Sequence, residues 1–185
     1  HEKQAQLEDN EADILYLESV VQNIENADNV PLLESIRDEL EETGYVRRRA
    51  KASQRKRKKE MPEPIRYELS DGTAVLVGRN NLENDWLTMK NASKTDVWMH
   101  TKDIPGSHVI LKLEDGRRLD DLSAELIYEA ASIAAWHSKA RESDNVPVDY
   151  VPVRYIKKPN GAKPGMVIFT HNQTVYVTPK LPENK

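Results

Sequence analysis

Along the first 25 residues, Leu7, Ile14, Leu17, Val21 and Ile24 recur at alternating three- and four-residue steps, interrupted once by Asn10. That spacing predicts an amphipathic helix with a coiled-coil-like seam on one face. The run Asn26-Ala-Asp-Asn-Val-Pro31 breaks it: Asp28 or Asn29 suits a cap and Pro31 a first helical turn. A second helix follows, with Leu33, Ile36 and Leu40 as its stripe and Gly44 as the C-cap. A loop this short makes the two helices antiparallel neighbours. Beyond residue 61 the period shortens to two. Ile65–Leu69 and Thr73–Val77 read as a hairpin about Ser70-Asp-Gly72. A helical stretch from Leu82 to Ala92 comes next, and strands are predicted at Asp96–His100 and Ser107–Leu113, around an Asp103-Ile-Pro-Gly-Ser107 turn. A helix from Leu119 to Arg141 and strands at Val148–Ile156, Met166–Thr170 and Thr174–Thr178 complete the chain. The expectation is an α+β fold, a mainly antiparallel sheet with two helices, preceded by an antiparallel helical pair.

Charge sharpens the boundaries. Residues 1–46 hold thirteen acids against Lys3 and Arg37, a net of −11, whereas residues 47–59 hold nine bases and no acid; the remainder is near neutral, at −2. Single-sign blocks mark separate units. The expected organisation is a helical hairpin over 1–46, a basic linker over 47–61, an α+β domain over 62–180 and a tail over 181–185. The chain opens at His1 inside a helix and reads as a piece of something longer. With no cysteine among its 185 residues it has no disulfide, thiolate metal site or cysteine nucleophile, and no apolar run approaches the roughly 20 residues of a membrane span.

The linker is the plainest candidate for chemistry. Arg47, Arg48, Arg49, Arg55, Lys56, Arg57, Lys58 and Lys59 repel one another, cannot build a core and suit phosphate; the alternative is a solvated run that offsets the acidic helices. Arg154, Lys157, Lys158 and Lys163 form a second basic group around a Pro-Asn-Gly-Ala-Lys-Pro-Gly loop. Arg79, Asn80, Asn81, Asn84 and Asp85 crowd one helix start, more polar groups than capping needs. His100, Asp103 and His108 raise the question of a metal or hydrolase site, the weakest reading. They lack a firm third ligand, an HExxH spacing and any cysteine, so neither catalytic residues, a metal nor a cofactor is expected. His100 and His108 are read as turn-bracing groups first and RNA contacts second.

Several polar runs carry a resemblance. Gly78-Arg-Asn-Asn-Leu-Glu-Asn-Asp-Trp-Leu-Thr88, Asp96-Val-Trp-Met-His100, Pro105-Gly-Ser-His-Val-Ile110, Val148-Asp-Tyr150 and Lys157-Lys-Pro-Asn-Gly-Ala-Lys-Pro-Gly165 closely resemble the RNA-binding-like C-terminal domain of the NFACT family. The matching runs lie between about residues 65 and 178. The resemblance implies a non-enzymatic binding module of a cytoplasmic, ribosome-associated quality-control factor. Its implied partners are stalled large ribosomal subunits and tRNA, with C-terminal alanine tailing served by the longer parent. A rival implication, from members described as Gram-positive surface adhesins and virulence factors, is binding of fibronectin at the cell surface without a signal peptide. The family's N-terminal domain, with its tRNA-handling motif, and most of its coiled-coil arm are missing from this sequence, so the piece is expected to bind but not to direct tailing alone.

Overall fold

The structure, a computed structural model, describes residues 2–48, 63–114 and 116–183. The helical pair consists of α1 (Glu2–Glu25) and α2 (Val30–Glu42). The Asn29 side chain caps α2 by accepting from the Leu32 amide at 2.9 Å, with Pro31 in the first turn, where its missing N–H costs nothing. The second helix ends at Thr43, and Gly44 follows in the left-handed region at φ 86°. Tyr16 donates to Glu39 at 2.7 Å while the connection lies at residues 26–29, so the helices run antiparallel.

The buried face of α1 is not the expected one. Leu7 and Ile14 are each 57% exposed, and Leu17, Val21 and Ile24 also face solvent. Tyr16, Ser19, Val20, Gln22 and Asn23 are buried instead. They too follow a helical spacing, but four of the five carry an amide or hydroxyl. On α2, Leu32 joins Ile36 inside, while Leu33 lies outside. This face is polar because what it packs against is polar, and hydropathy alone does not mark it.

The sheet domain is built from β1 (Ile65–Glu68), β2 (Ala74–Val77), α3 (Asn81–Trp86), β3 (Val97–Thr101), β4 (Val109–Leu111), α4 (Ala124–Trp136), β5 (Val146–Pro152), β6 (Ile156–Lys157), β7 (Ile168–Phe169) and β8 (Gln173–Val177). Six strands form one antiparallel sheet in the order β1-β2-β4-β3-β5-β8. One face, through Val75, Val77, Val97, Met99, Val109, Leu111 and Val148, packs on α4 at Leu126, Ile133 and an alanine patch, Ala130, Ala131, Ala134 and Ala135. Alanine at those four positions lets the helix backbone approach the sheet. The other face carries Trp98, Ile110 and Val151 against Leu87 and Ile156.

Ser123 caps α4 by accepting from the Leu126 amide, and the helix stops at Trp136, five residues short of the expected end. A separate 3-10 turn occupies Leu119–Asp121. The long strand expected from Val148 divides at Pro152, where a 3-10 turn intervenes before β6 pairs with β7 in a small second sheet. After α3, a π-helical turn spans Leu87–Asn91, closed by the Ala92 amide on the Leu87 carbonyl at 2.9 Å. That extra residue in the turn keeps Leu87 in the second core and puts Thr88 beside His108.

Candidate nucleic-acid interface

The expected site residues divide into a buried polar seam and an exposed basic fringe. Asn80, Asn81 and Asn84 are each no more than 2% exposed. Asn80 caps α3 through the Glu83 amide at 2.8 Å and donates to Ser35 of α2 at 3.1 Å. Asn81 donates to Ser19 of α1 at 2.9 Å and to Glu39 of α2 at 3.2 Å. Asn84 accepts from the His108 amide at 3.1 Å, and a Cβ on Gly78 would run into its carboxamide. The asparagines therefore join the helical pair to the sheet, and their hydrogen-bonding groups are committed within the protein. Sequence reasoning found the cluster but missed its partners, Ser19, Ser35 and Glu39, which lie 42 to 62 residues away along the chain.

Burial tunes the ionisable groups of this seam. Desolvation raises the Glu39 carboxyl against the lowering effect of hydrogen bonds from Tyr16 and Asn81. Desolvation also pushes Glu83 up to about 7, although the Arg79 amide donates to it at 2.6 Å. His108 has both ring nitrogens engaged: Nε2 donates to the Gly165 carbonyl at 3.0 Å, which leaves Nδ1 to accept from the Thr88 hydroxyl at 2.8 Å. Burial holds it down to about 3, with His100 nearby adding to the effect. The two rings meet edge to face with centroids 5.8 Å apart. His100 turns its nitrogens to the Thr101 and Gly106 carbonyls at 2.7 and 3.2 Å, bracing the Pro-Gly turn. Among the described residues no cluster of three His, Asp or Glu side chains is placed to hold a metal ion.

The basic loop is only partly free to meet a ligand. Lys158 binds the Asp85 carboxylate at 2.8 and 3.0 Å and the Lys163 carbonyl at 2.5 Å. Asp85 also accepts from the Gly165 amide at 3.1 Å. Lys163 bonds to Asp13 of α1 and to Tyr45. These two lysines tie the loop to α3 and to the helical pair, so their charges are largely neutralised in place. Arg154 and Lys157 are exposed, Arg79 is half-buried, and Arg47 and Arg48 leave α2 in solvent. Arg49, Arg55, Lys56, Arg57, Lys58 and Lys59 lie outside the described residues.

Gly165 is where the loop meets the seam. Its φ is 78°, and a Cβ there would strike the Asn81 side chain. Gly165→Ala therefore combines backbone strain with a clash and is expected to cost about 2–4 kcal/mol. Gly161, in the same loop at φ 76° with open space around it, should cost only about 1 kcal/mol on the same change. Equal losses for the two variants in urea unfolding would remove the clash from this account.

What the fold and seam define is an α+β sheet domain bearing a docked helical pair. The chain belongs to the NFACT family: residues 64–171 match the NFACT protein RNA binding domain, and residues 2–60 match the NFACT N-terminal and middle domains. It is 44% identical over 167 residues to the Rqc2 homolog RqcH of Bacillus subtilis, covering 90% of this chain and 28% of that protein. With the Rqc2 homolog RqcH of Streptococcus suis it shares 44% over 174 residues, 94% of this chain and 30% of the relative. The chain thus spans under a third of the length of these relatives. A solved structure, the C-terminal of the fibronectin/fibrinogen-binding protein from Streptococcus suis, superposes with a TM-score of 0.82 at 42% identity, covering 96% of this chain and 68% of that one.

Proposed function

We propose that this chain is the RNA-contacting module of a cytoplasmic, ribosome-associated quality-control factor. In this reading it engages stalled large ribosomal subunits and tRNA and has no active site of its own; alanine tailing belongs to the longer protein. The observation that carries the reading is the match of residues 64–171 to an RNA-binding domain. The identity with RqcH proteins and the exposed bases Arg47, Arg48, Arg154 and Lys157 support it. A run of bases supplies affinity through counterion release, whereas bases mounted on a folded surface supply orientation.

The test is a salt titration against tRNA and purified large subunits. Replacing Arg55, Lys56, Arg57, Lys58 and Lys59 by serine should weaken all RNAs about equally. It should also flatten the salt slope by roughly 0.7–0.9 per lost phosphate contact. Replacing Arg154 and Lys157 by alanine should weaken large subunits more than bulk RNA. Lys158 is left in place because its loss would unseat the loop from Asp85.

The second reading is a fibronectin-binding adhesin, favoured by the likeness to the streptococcal structure. Tight fibronectin binding that ignores salt, with no effect of either variant on RNA, would replace the first reading with this one.

A further inference from the structure

At one end of the sheet, away from the seam, three side chains are stacked in advance of any ligand. The Arg154 guanidinium lies over the Tyr155 ring at 5.0 Å, and the His171 imidazole stacks on Tyr155 with centroids 4.4 Å apart and planes 25° from parallel. Tyr155 is half-buried against the second core, while Arg154 and His171 are exposed. The rigid member of the stack is thus the tyrosine, and an imidazole is presented to solvent. The Thr170 hydroxyl lies 2.9 Å from His171 Nδ1, which fixes the ring's orientation.

Beside the stack is a hollow of about 240 Å³ whose walls include Thr95, Arg118, Tyr155, His171 and Gln173. It forms where the turn before β3, the end of β5, the start of β8 and the turn after β4 converge. Charge around it is mainly positive. Arg118 and Arg154 line it and both are exposed, and Lys94, whose carbonyl accepts from the Arg154 amide at 3.1 Å, is exposed alongside. Asp120 is the acidic residue in the wall.

From this juxtaposition we infer that the Arg154–Tyr155–His171 stack and the adjoining hollow bind single-stranded RNA, one unstacked base continuing the stack while Arg118 and Arg154 meet the flanking phosphates. The inference rests on the RNA reading above and gives it a particular place and strand preference. Rings spaced for stacking beside guanidinium groups match a chain that alternates flat bases with phosphates. A duplex offers the phosphates but no free base face, since its bases are already stacked on one another. An acidic peptide would satisfy the arginines and leave the ring face unused.

The design of the test follows from the backbone. His171 has φ 62°, a region asparagine tolerates well. His171→Asn therefore removes the ring at little conformational cost, and His171→Tyr restores a ring. With the 185-residue chain and a labelled 12-nucleotide single strand, His171→Asn should lower affinity about tenfold. His171→Tyr should recover most of it, and both should leave the melting temperature and binding to a duplex of the same sequence unchanged. Arg118→Gln with Arg154→Gln should lower affinity and flatten the salt slope. Single-strand binding that is equal in wild type and His171→Asn would overturn the inference and leave the RNA reading standing. So would displacement by polyglutamate that is as effective against His171→Asn as against wild type and persists when ring and strand are varied. Failure of the wild-type chain to bind any RNA would end both.

Discussion

Asn81→Ala is expected to lower stability by about 2–4 kcal/mol and to loosen the helical pair from the sheet. One carboxamide joins three elements: its amide reaches Ser19 of α1 and Glu39 of α2, while its own residue opens α3. Removing it strands a carboxyl that is already poorly served, since Glu39 Oε2 is buried without a hydrogen-bond partner. An unsatisfied buried acceptor costs more than the net worth of the bond it lost. The loss should also be local. Amides of α1 and α2 should exchange hydrogen markedly faster in Asn81→Ala, while those of β3 and β5, held between strand neighbours in the middle of the sheet, stay protected. Acceleration spread evenly over both units would mean that the seam is not a distinct point of failure.

Acidification below neutral pH should destabilise the protein, and Glu83→Gln should make that fall steeper. His108 and His137 are held by burial to about 3 and about 4, below the ordinary 6.5, and His100 is lowered as well. Their contribution is complete above pH 6.5. It is lost as pH falls toward the folded values, because the unfolded chain takes up protons that the folded imidazoles refuse. Glu83 acts in the opposite sense. With its carboxyl raised from 4.5 to about 7, the folded state holds a proton that the unfolded chain has released between those values. It therefore opposes the histidines within that window, and the Glu39 and Asp85 carboxyls, which desolvation also raises, act in the same sense as Glu83. Glutamine resembles the protonated carboxyl and takes up no proton. In Glu83→Gln the opposing uptake disappears, and stability between pH 7 and 5 should fall more steeply by roughly 1 kcal/mol per pH unit. Urea unfolding at half-unit pH intervals measures both slopes; identical slopes would refute the assignment of that proton to Glu83.

Local chemistry was the most readable part of the sequence. Ser70-Asp-Gly72 does turn the first hairpin, with Gly72 at φ 86°, and Asn29 with Pro31 does open α2. These signals act over four or five residues, so no tertiary partner is needed to read them. The coiled-coil stripe was misjudged for the converse reason. Leu7, Ile14 and Val21 satisfy the helical period, yet the docked face of α1 is chosen by asparagines and a glutamate that follow much later in the chain. Lys158 and Lys163 looked available for phosphate because a sequence displays charges without their counterions; Asp85 and Asp13 appear only once the chain is folded. The Arg154–Tyr155 pair stood in plain view as a base beside an aromatic, but His171, which extends it, is sixteen positions on, across β6 and β7.

The placement of the seam along α1 has a mechanical consequence. Among the described side chains of that helix the first buried one is Tyr16, and those from Lys3 to Ala12 are all exposed. From Glu2 to Tyr16 the helix advances about 21 Å at 1.5 Å per residue. It is therefore a lever with its fulcrum at Asn81 and Glu39. A ten-degree tilt there would sweep its outer end through roughly 4 Å on that geometry, while hydrogen bonds of fixed direction resist the tilt more stiffly than a sliding apolar contact would. Force applied at the outer end of α1 would be delivered, magnified by the arm, to the loop that Lys163 fastens to Asp13.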